Sequence, residues 1–129
     1  MGPNSVRLVH QRDGEAQTLA DSVATETLAD DVERADGLLS QGRGLMFRRS
    51  MPEGYGLVFS FDEPATRTIH TLFVFEPIDV LWLVDDEVIN VERLRPFRGL
   101  AHGLADTVVE LPAGVAENVK PGDTVRLED

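Results

Sequence analysis

The 129-residue sequence predicts a mainly β domain, a jelly-roll-like sandwich or partly closed barrel, with one amphipathic helix near residues 27–41 packed on it. Three observations carry that expectation. The stretch Thr66 to Val84 is rich in β-branched and aromatic residues, among them Phe73, Phe75 and Trp82. About seven short strand-like runs recur at regular spacing, separated by turn signals. A single run has clear helical periodicity.

The Thr66–Val84 stretch has nearly the length of a membrane-spanning helix, but Arg67, His70, Glu76, Pro77 and Asp79 interrupt it, and mid-span charges are costly. It reads instead as a central pair of strands. Glu76-Pro77 divides them, because proline cannot donate to a sheet ladder. The strands fall at about Arg67–Phe75 and Ile78–Val84.

From the start of the chain, residues 1–4 read as a loose terminus. Val6, Leu8 and His10 alternate with other residues into Asp13-Gly14, a hairpin turn signal, and Ala16–Val23 reads as the return strand. Leu28, Val32, Ala35 and Leu39 then recur at intervals of four, three and four, which predicts the helix. Thr25 or Thr27 would cap it, Asp30 and Asp31 suit its positive end, and Gly42 would end it. Residues 42–54 follow as a shaped loop. A strand at Gly56–Phe61 leads through Asp62-Glu63-Pro64 into the central pair. Asp85-Asp86-Glu87 turns into a strand at Val88–Leu94, Arg95–Asp106 reads as loop, and Thr107–Leu111 as a strand. Pro112–Asn118 suits a short helical turn, Lys120-Pro-Gly-Asp123 a type II turn, and Thr124–Glu128 a closing strand.

Length and a 42% hydrophobic content fit one domain spanning residues 1–129. Cysteine is absent, which excludes disulfides and thiolate chemistry. No apolar signal segment follows Met1, so a soluble cytoplasmic monomer is expected. Acidic residues number 23 against 12 basic, for a formal net charge of −11. Such a surface disfavours duplex nucleic acid and anionic membrane as partners. Lys120 is the one lysine, and a carboxylate-rich, lysine-poor surface suits concentrated salt, so a halophilic source is expected.

Four segments resemble a known family of uncharacterised proteins, the domain of unknown function 192, also called uncharacterised protein family 0127. They are Arg43-Gly-Leu-Met-Phe-Arg48, Gly56-Leu-Val-Phe-Ser-Phe61, Pro77-Ile-Asp-Val-Leu-Trp-Leu83 with Val88, and Val109-Glu-Leu-Pro-Ala-Gly114 with Lys120-Pro-Gly-Asp123. In order they cover about residues 42–126. The resemblance implies a compact jelly-roll-like β fold with the helix outside, and no established activity. It marks Gly44, Leu45, Met46, Arg48, Pro77, Asp79, Pro112, Gly114, Gly122 and Asp123 as structurally important. The sequence departs from the family pattern where many members have aromatic-Met-Lys-Asn and here stands His70-Thr71-Leu72-Phe73.

The search for chemistry is mostly negative. His10, His70 and His102 lie at no short ligand spacing, so neither a metal site nor a cofactor is expected. In a hairpin about Glu76-Pro77, His70 and Asp79 would lie roughly 13 Å apart, too far for proton transfer. Asp79 amid Ile78, Val80, Leu81 and Trp82 needs hydrogen bonds or a cation, such as Arg48. The remaining candidate is electrostatic. Arg43, Arg48 and Arg49 cluster before the central strands; Arg93, Arg95 and Arg98 cluster after them. If the loops meet, their guanidinium groups would hold a carboxylate or phosphate. The expected function is a non-enzymatic module binding a small anion or an acidic segment of a protein partner. A small hydrolase or metal-assisted enzyme, and a structural accessory domain, are the alternatives.

Overall fold

The computed structural model describes residues 6–12, 25–35, 51–71 and 74–128. Eight strands form one mixed sheet: β1 (Arg7–Gln11), β2 (Thr25–Ala29), β3 (Asp31–Ala35), β4 (Tyr55–His70), β5 (Ile78–Val84), β6 (Glu87–Leu94), β7 (Leu100–Pro112) and β8 (Thr124–Glu128). Their order is β2-β1-β8-β6-β5-β7-β4-β3. The β3–β4 pair is parallel and the others are antiparallel.

The two edge strands of this order, β2 and β3, are consecutive in the chain with Asp30 between them. The sheet therefore curls until its edges meet. The bend is held by Gly54, whose carbonyl accepts from the N–H groups of both Asp30 and Asp31 at 3.0 Å. This segment corrects the expected helix: over residues 27–35 the chain is strand, and 36–41 lie outside the described residues. Leu28 and Val32 are both buried because residues four apart share a face of extended chain as they do of a helix, so their spacing imitates a helical period. The architecture is correspondingly a single curled sheet, not the two stacked sheets of a sandwich or jelly roll.

Alternation along the central strands sorts the apolar residues onto two faces. Leu81 and Leu83 of β5, Val109 and Leu111 of β7, and Val58 of β4 point to the concave side, where they meet Leu8, Leu28, Val32 and Val125. Ile78, Val80 and Trp82 of β5, with Leu57 and Phe59 of β4 and Val108 of β7, form a second core on the other face. The aromatic side chains of the two cores, Tyr55, Phe59, Phe61 and Trp82, all belong to this second face.

The second core is covered by the sheet itself. Strands β4 and β7 form a long ribbon whose register breaks between Ser60 and Ala65, while β7 advances from Thr107 to Ala105. Pro64 sits in that irregularity, where no ladder donor is required. Beyond the break, Trp82 Nε1 donates to the Arg67 carbonyl at 2.8 Å, and Asn90 Nδ2 to the His102 carbonyl at 3.3 Å. The outer half of the ribbon thus lies back over β5 and β6. Three expectations are corrected here. Asp62–Pro64 is a bulge within β4, not a connection. The chain from Leu100 to Asp106 is strand, with the turn confined to 95–99. The two strands expected to pair within Thr66–Val84 do not: β4 and β5 flank β7 on opposite sides. The expected return strand at Ala16–Val23 lies outside the described residues.

The β5–β6 turn uses Asp85 and Asp86, both at positive φ (50° and 69°), the backbone required of a tight antiparallel hairpin.

Candidate functional site

The Asp79 carboxylate is buried, 3% exposed, on the concave face of β5. One oxygen accepts from Arg93 Nε at 2.9 Å, directly across the β5–β6 ladder. The other accepts from the backbone N–H groups of Gly114 at 2.9 Å and Ala116 at 3.0 Å. Asp79 thereby fixes the turn that follows β7. The hydrogen bond to Asp79, helped by charge attraction, raises the Arg93 pKa above the usual guanidinium range. Arg48, the cation expected for Asp79, lies outside the described residues, as do Arg43, Arg49, Gly44 and Met46.

Arg95 and Arg98 stand on the turn between β6 and β7, and both are exposed. Thr71 holds that turn. Its buried hydroxyl donates to the Arg95 carbonyl at 2.6 Å and accepts from the Gly99 N–H at 2.6 Å. Its backbone N–H donates to Gly99, and its carbonyl accepts from Phe97 and Val74. A Cβ at Gly99 would fall 2.6 Å from Leu94 Cβ and 2.8 Å from the Thr71 hydroxyl, so the close approach requires glycine. Phe97 adopts a positive φ of 64° and presents its ring edge-on to Phe75, with centroids 5.1 Å apart. Both rings remain over 40% exposed, Phe75 at 41% and Phe97 at 47%. Beside them Glu76 accepts from the Met51 N–H at 2.9 Å. The end of the 42–54 segment, the 71–77 link and the arginine turn therefore share one end of the molecule.

No side-chain ion pair or hydrogen bond involves Arg95 or Arg98 among the described residues. Arg7 and Arg126 engage Glu128, Arg93 engages Asp79, and Arg67 engages two carbonyls and the face of Phe61, whereas Arg34 of β3 is exposed like Arg95 and Arg98. Thus the second arginine cluster divides. Arg93 is a structural partner of Asp79, while Arg95 and Arg98 face solvent.

His70 is exposed at the far end of β4, opposite Leu100 on the outer face of the ribbon. Asp79 points into the concave side beneath the 112–116 turn. The two are in different layers and form no pair. Pro77 is exposed just before β5. Among the described residues, no group of three or more His, Asp or Glu is placed to hold a metal ion, and no helix is long and apolar enough to cross a membrane.

Two buried polar features were not singled out from the sequence. His10 is 1% exposed and bridges Glu26 through Nδ1 at 2.9 Å and Asp123 through Nε2 at 2.8 Å. Glu110 of β7 lies between Leu57 and Val80 on the second face, 4% exposed, with no side-chain hydrogen bond. Burial pushes its carboxyl pKa up to about 8. The signal for Glu110 was the same as for Asp79, one carboxylate inside the apolar run Val108-Val109-Glu110-Leu111. His10 gave no such signal, because both its partners come from distant segments.

A curled β sheet with one exposed arginine turn defines a small β-rich protein without a recognisable catalytic centre among its described residues. The chain belongs to the DUF192 family, described as an uncharacterized ACR, whose model matches residues 20–127. It is 34% identical over 100 residues to a UPF0127 protein of Pyrococcus abyssi (strain GE5 / Orsay), covering 73% of this chain and 83% of that relative. Two solved structures share the fold at 22% identity each. One is a protein of unknown function from Novosphingobium aromaticivorans DSM 12444, with TM-score 0.74 and 94% of this chain and 84% of that one covered. The other, from Sinorhizobium meliloti 1021, is described as a candidate transcription regulator, with TM-score 0.72 and coverage of 98% and 96%.

Proposed function

We propose that this protein is a non-enzymatic binding module that takes an anionic group, on a small molecule or on an acidic segment of a protein partner, at the Arg95–Gly99 turn. The observation that carries this reading is the pair of exposed guanidinium groups at Arg95 and Arg98, without a partner among the described residues, in a chain of net charge −11. In so acidic a molecule, arginines serving only the fold would be expected to meet carboxylates, as Arg93 does. Guanidinium offers a planar fork of donors matched to carboxylate and phosphate oxygens. The Phe75–Phe97 pair beside it offers an apolar shelf for the body of the bound group.

Arg43, Arg48 and Arg49 belong to the same proposal. Arg49 is two residues from Met51, and two residues span at most about 7 Å. Met51 is itself bonded to Glu76 in the link beside the turn. A monomeric, cytoplasmic protein that avoids nucleic acid and membranes is consistent with this reading, and the acidic surface is suited to a halophilic setting.

Amide-shift mapping during titration with phosphate, a nucleotide, citrate and an acidic peptide tests the proposal. Residues 93–99 and 43–49 should respond saturably, and the response should weaken with added salt and vanish in the Arg95→Ala/Arg98→Ala double variant. If no residue of either cluster shifts with any of these probes, the reading fails.

A further inference from the structure

Among the described residues, the aromatic side chains of Tyr55, Phe59, Phe61 and Trp82 pack in the second core. Phe75 and Phe97 do not: they stand 41% and 47% exposed, with rings at 87° and centroids 5.1 Å apart. Two perpendicular rings form a corner suited to a third, which stacks on one and meets the edge of the other. Phe97 is held there against its backbone preference. A φ of 64° is an outlier for so bulky a residue, and such strain persists only where the surroundings impose it. Thr71 imposes it. Its carbonyl accepts from the Phe97 N–H at 3.0 Å, and its hydroxyl ties the Arg95 carbonyl to the Gly99 N–H. The turn thus carries strain at a residue left nearly half in water, which core packing does not explain.

We infer that the ligand of this turn is a small planar aromatic carboxylate, its ring in the Phe75–Phe97 corner and its carboxylate on the Arg95 and Arg98 guanidinium groups. The inference rests on the anion-binding reading above and adds the chemical class of the ligand. Arg98 follows Phe97 directly and Arg95 precedes it by two residues, so both side chains leave the backbone within about 7 Å of Phe97. The charge therefore belongs on the ring itself or one or two atoms from it. Glu76 and Glu92 are the acids flanking Phe75 and the turn in sequence. Among the described residues neither pairs with Arg95 or Arg98, and Glu76 accepts from the Met51 N–H. A carboxylate matches the guanidinium fork. As a monoanion it is also repelled less than a phosphate dianion by a chain of net charge −11.

The test is an NMR titration of the full chain with benzoate and 2-naphthoate, run beside cyclohexanecarboxylate, 2-naphthol and citrate. Both aromatic acids should shift the amides of Phe75 and residues 95–99 saturably. Benzoate should bind roughly three- to tenfold tighter than cyclohexanecarboxylate, which has the same charge and similar size but no aromatic ring. Uncharged 2-naphthol should bind roughly tenfold more weakly than 2-naphthoate. Phe97→Gly removes the ring at a backbone conformation that glycine adopts without strain, so the spectrum should stay dispersed. In that variant benzoate should bind no better than cyclohexanecarboxylate. Should it not fold, Phe75→Leu opens the same corner and should reduce the preference for benzoate. Equal binding of benzoate and cyclohexanecarboxylate, equal binding of 2-naphthol and 2-naphthoate, or an undiminished aromatic preference in the folded variants would overturn the inference. If citrate still shifts residues 93–99 in such a case, the anion-binding reading stands without it; if no anion does, both fall.

Discussion

A carboxylate inside an aliphatic interior survives at Asp79 because all of its acceptor capacity in use is matched by donors of the right kind. The backbone donor of Ala116 is buried and that of Gly114 half-buried, whereas Arg93 has a side chain 54% exposed. These differ in worth. An ion pair to a solvent-screened guanidinium contributes little, but orphaning buried N–H groups costs about 1–3 kcal/mol each. Asp79→Ala should therefore lower unfolding stability by about 3 kcal/mol, and Arg93→Ala by much less, measured by urea denaturation. Equal losses would show that the ion pair, not the backbone cradle, matters. His10 offers a second residue-scale case. Its two ring nitrogens tie β1 to Glu26 of β2 on one side and to Asp123, before β8, on the other. His10→Leu should destabilise by about 1–3 kcal/mol by removing one donor from the buried Asp123 carboxylate, which keeps the Lys120 N–H; an unchanged urea midpoint would show that the bridge adds nothing. Asp79 could be recognised as a buried carboxylate from its apolar neighbours. Its cation could not, because Arg93 reaches it through a β5–β6 register that includes an irregularity at Trp82/Leu83.

At the level of elements, the folded-back ribbon is the feature on which the second core depends. Gly103 of β7 lies against the Trp82 ring so closely that a Cβ there would sit 2.8 Å from the ring's Cγ. Gly103→Ala should lift the ribbon from β5 and cost about 1–3 kcal/mol, the usual penalty for overpacking. Trp82 is the single tryptophan, fully buried with its indole N–H on the Arg67 carbonyl, so its emission reports the change directly. A red shift in the folded variant is expected; unchanged emission and stability would mean the ribbon accommodates the methyl group. Strands β5, β6 and β8 were legible from β-branched runs bounded by Asp-Asp and Pro-Gly turns, since the signals there are local. The ribbon was not. Its outer halves, Asp62–His70 and Leu100–Asp106, alternate small or polar residues with larger ones, and their burial depends on meeting Trp82 across the molecule. The same limit misled the reading of residues 27–35: the spacing of Leu28 and Val32 satisfies a helix as well as two strands broken by a bend, and only pairing with β1 and β4 decides between them.

Across the whole molecule, one sheet with its edges joined leaves little room for parts to respond to pH independently, so a buried titrating group should be felt as a change in global stability. Glu110 is that group. Its ordinary pKa of 4.5 is pushed up to about 8 by burial between β4 and β5. Between these values the folded chain keeps the proton and the unfolded chain releases it. The unfolded state therefore binds fewer protons, and by linkage stability falls as pH rises, by about 1.4 kcal/mol per unit for this group. The contribution is fully favourable below about pH 4.5 and is lost as pH climbs through about 8, a total on the order of 4–5 kcal/mol. Other carboxylates titrate with their own signs, so the informative quantity is the difference between wild type and Glu110→Gln, whose amide is isosteric and does not ionise. Plotted from pH 5 to pH 9, that difference should move steadily in favour of the variant and level off above about pH 8. A flat difference would mean that the Glu110 carboxylate is stabilised by a cation or by water, and that the second face holds an ionised group at neutral pH.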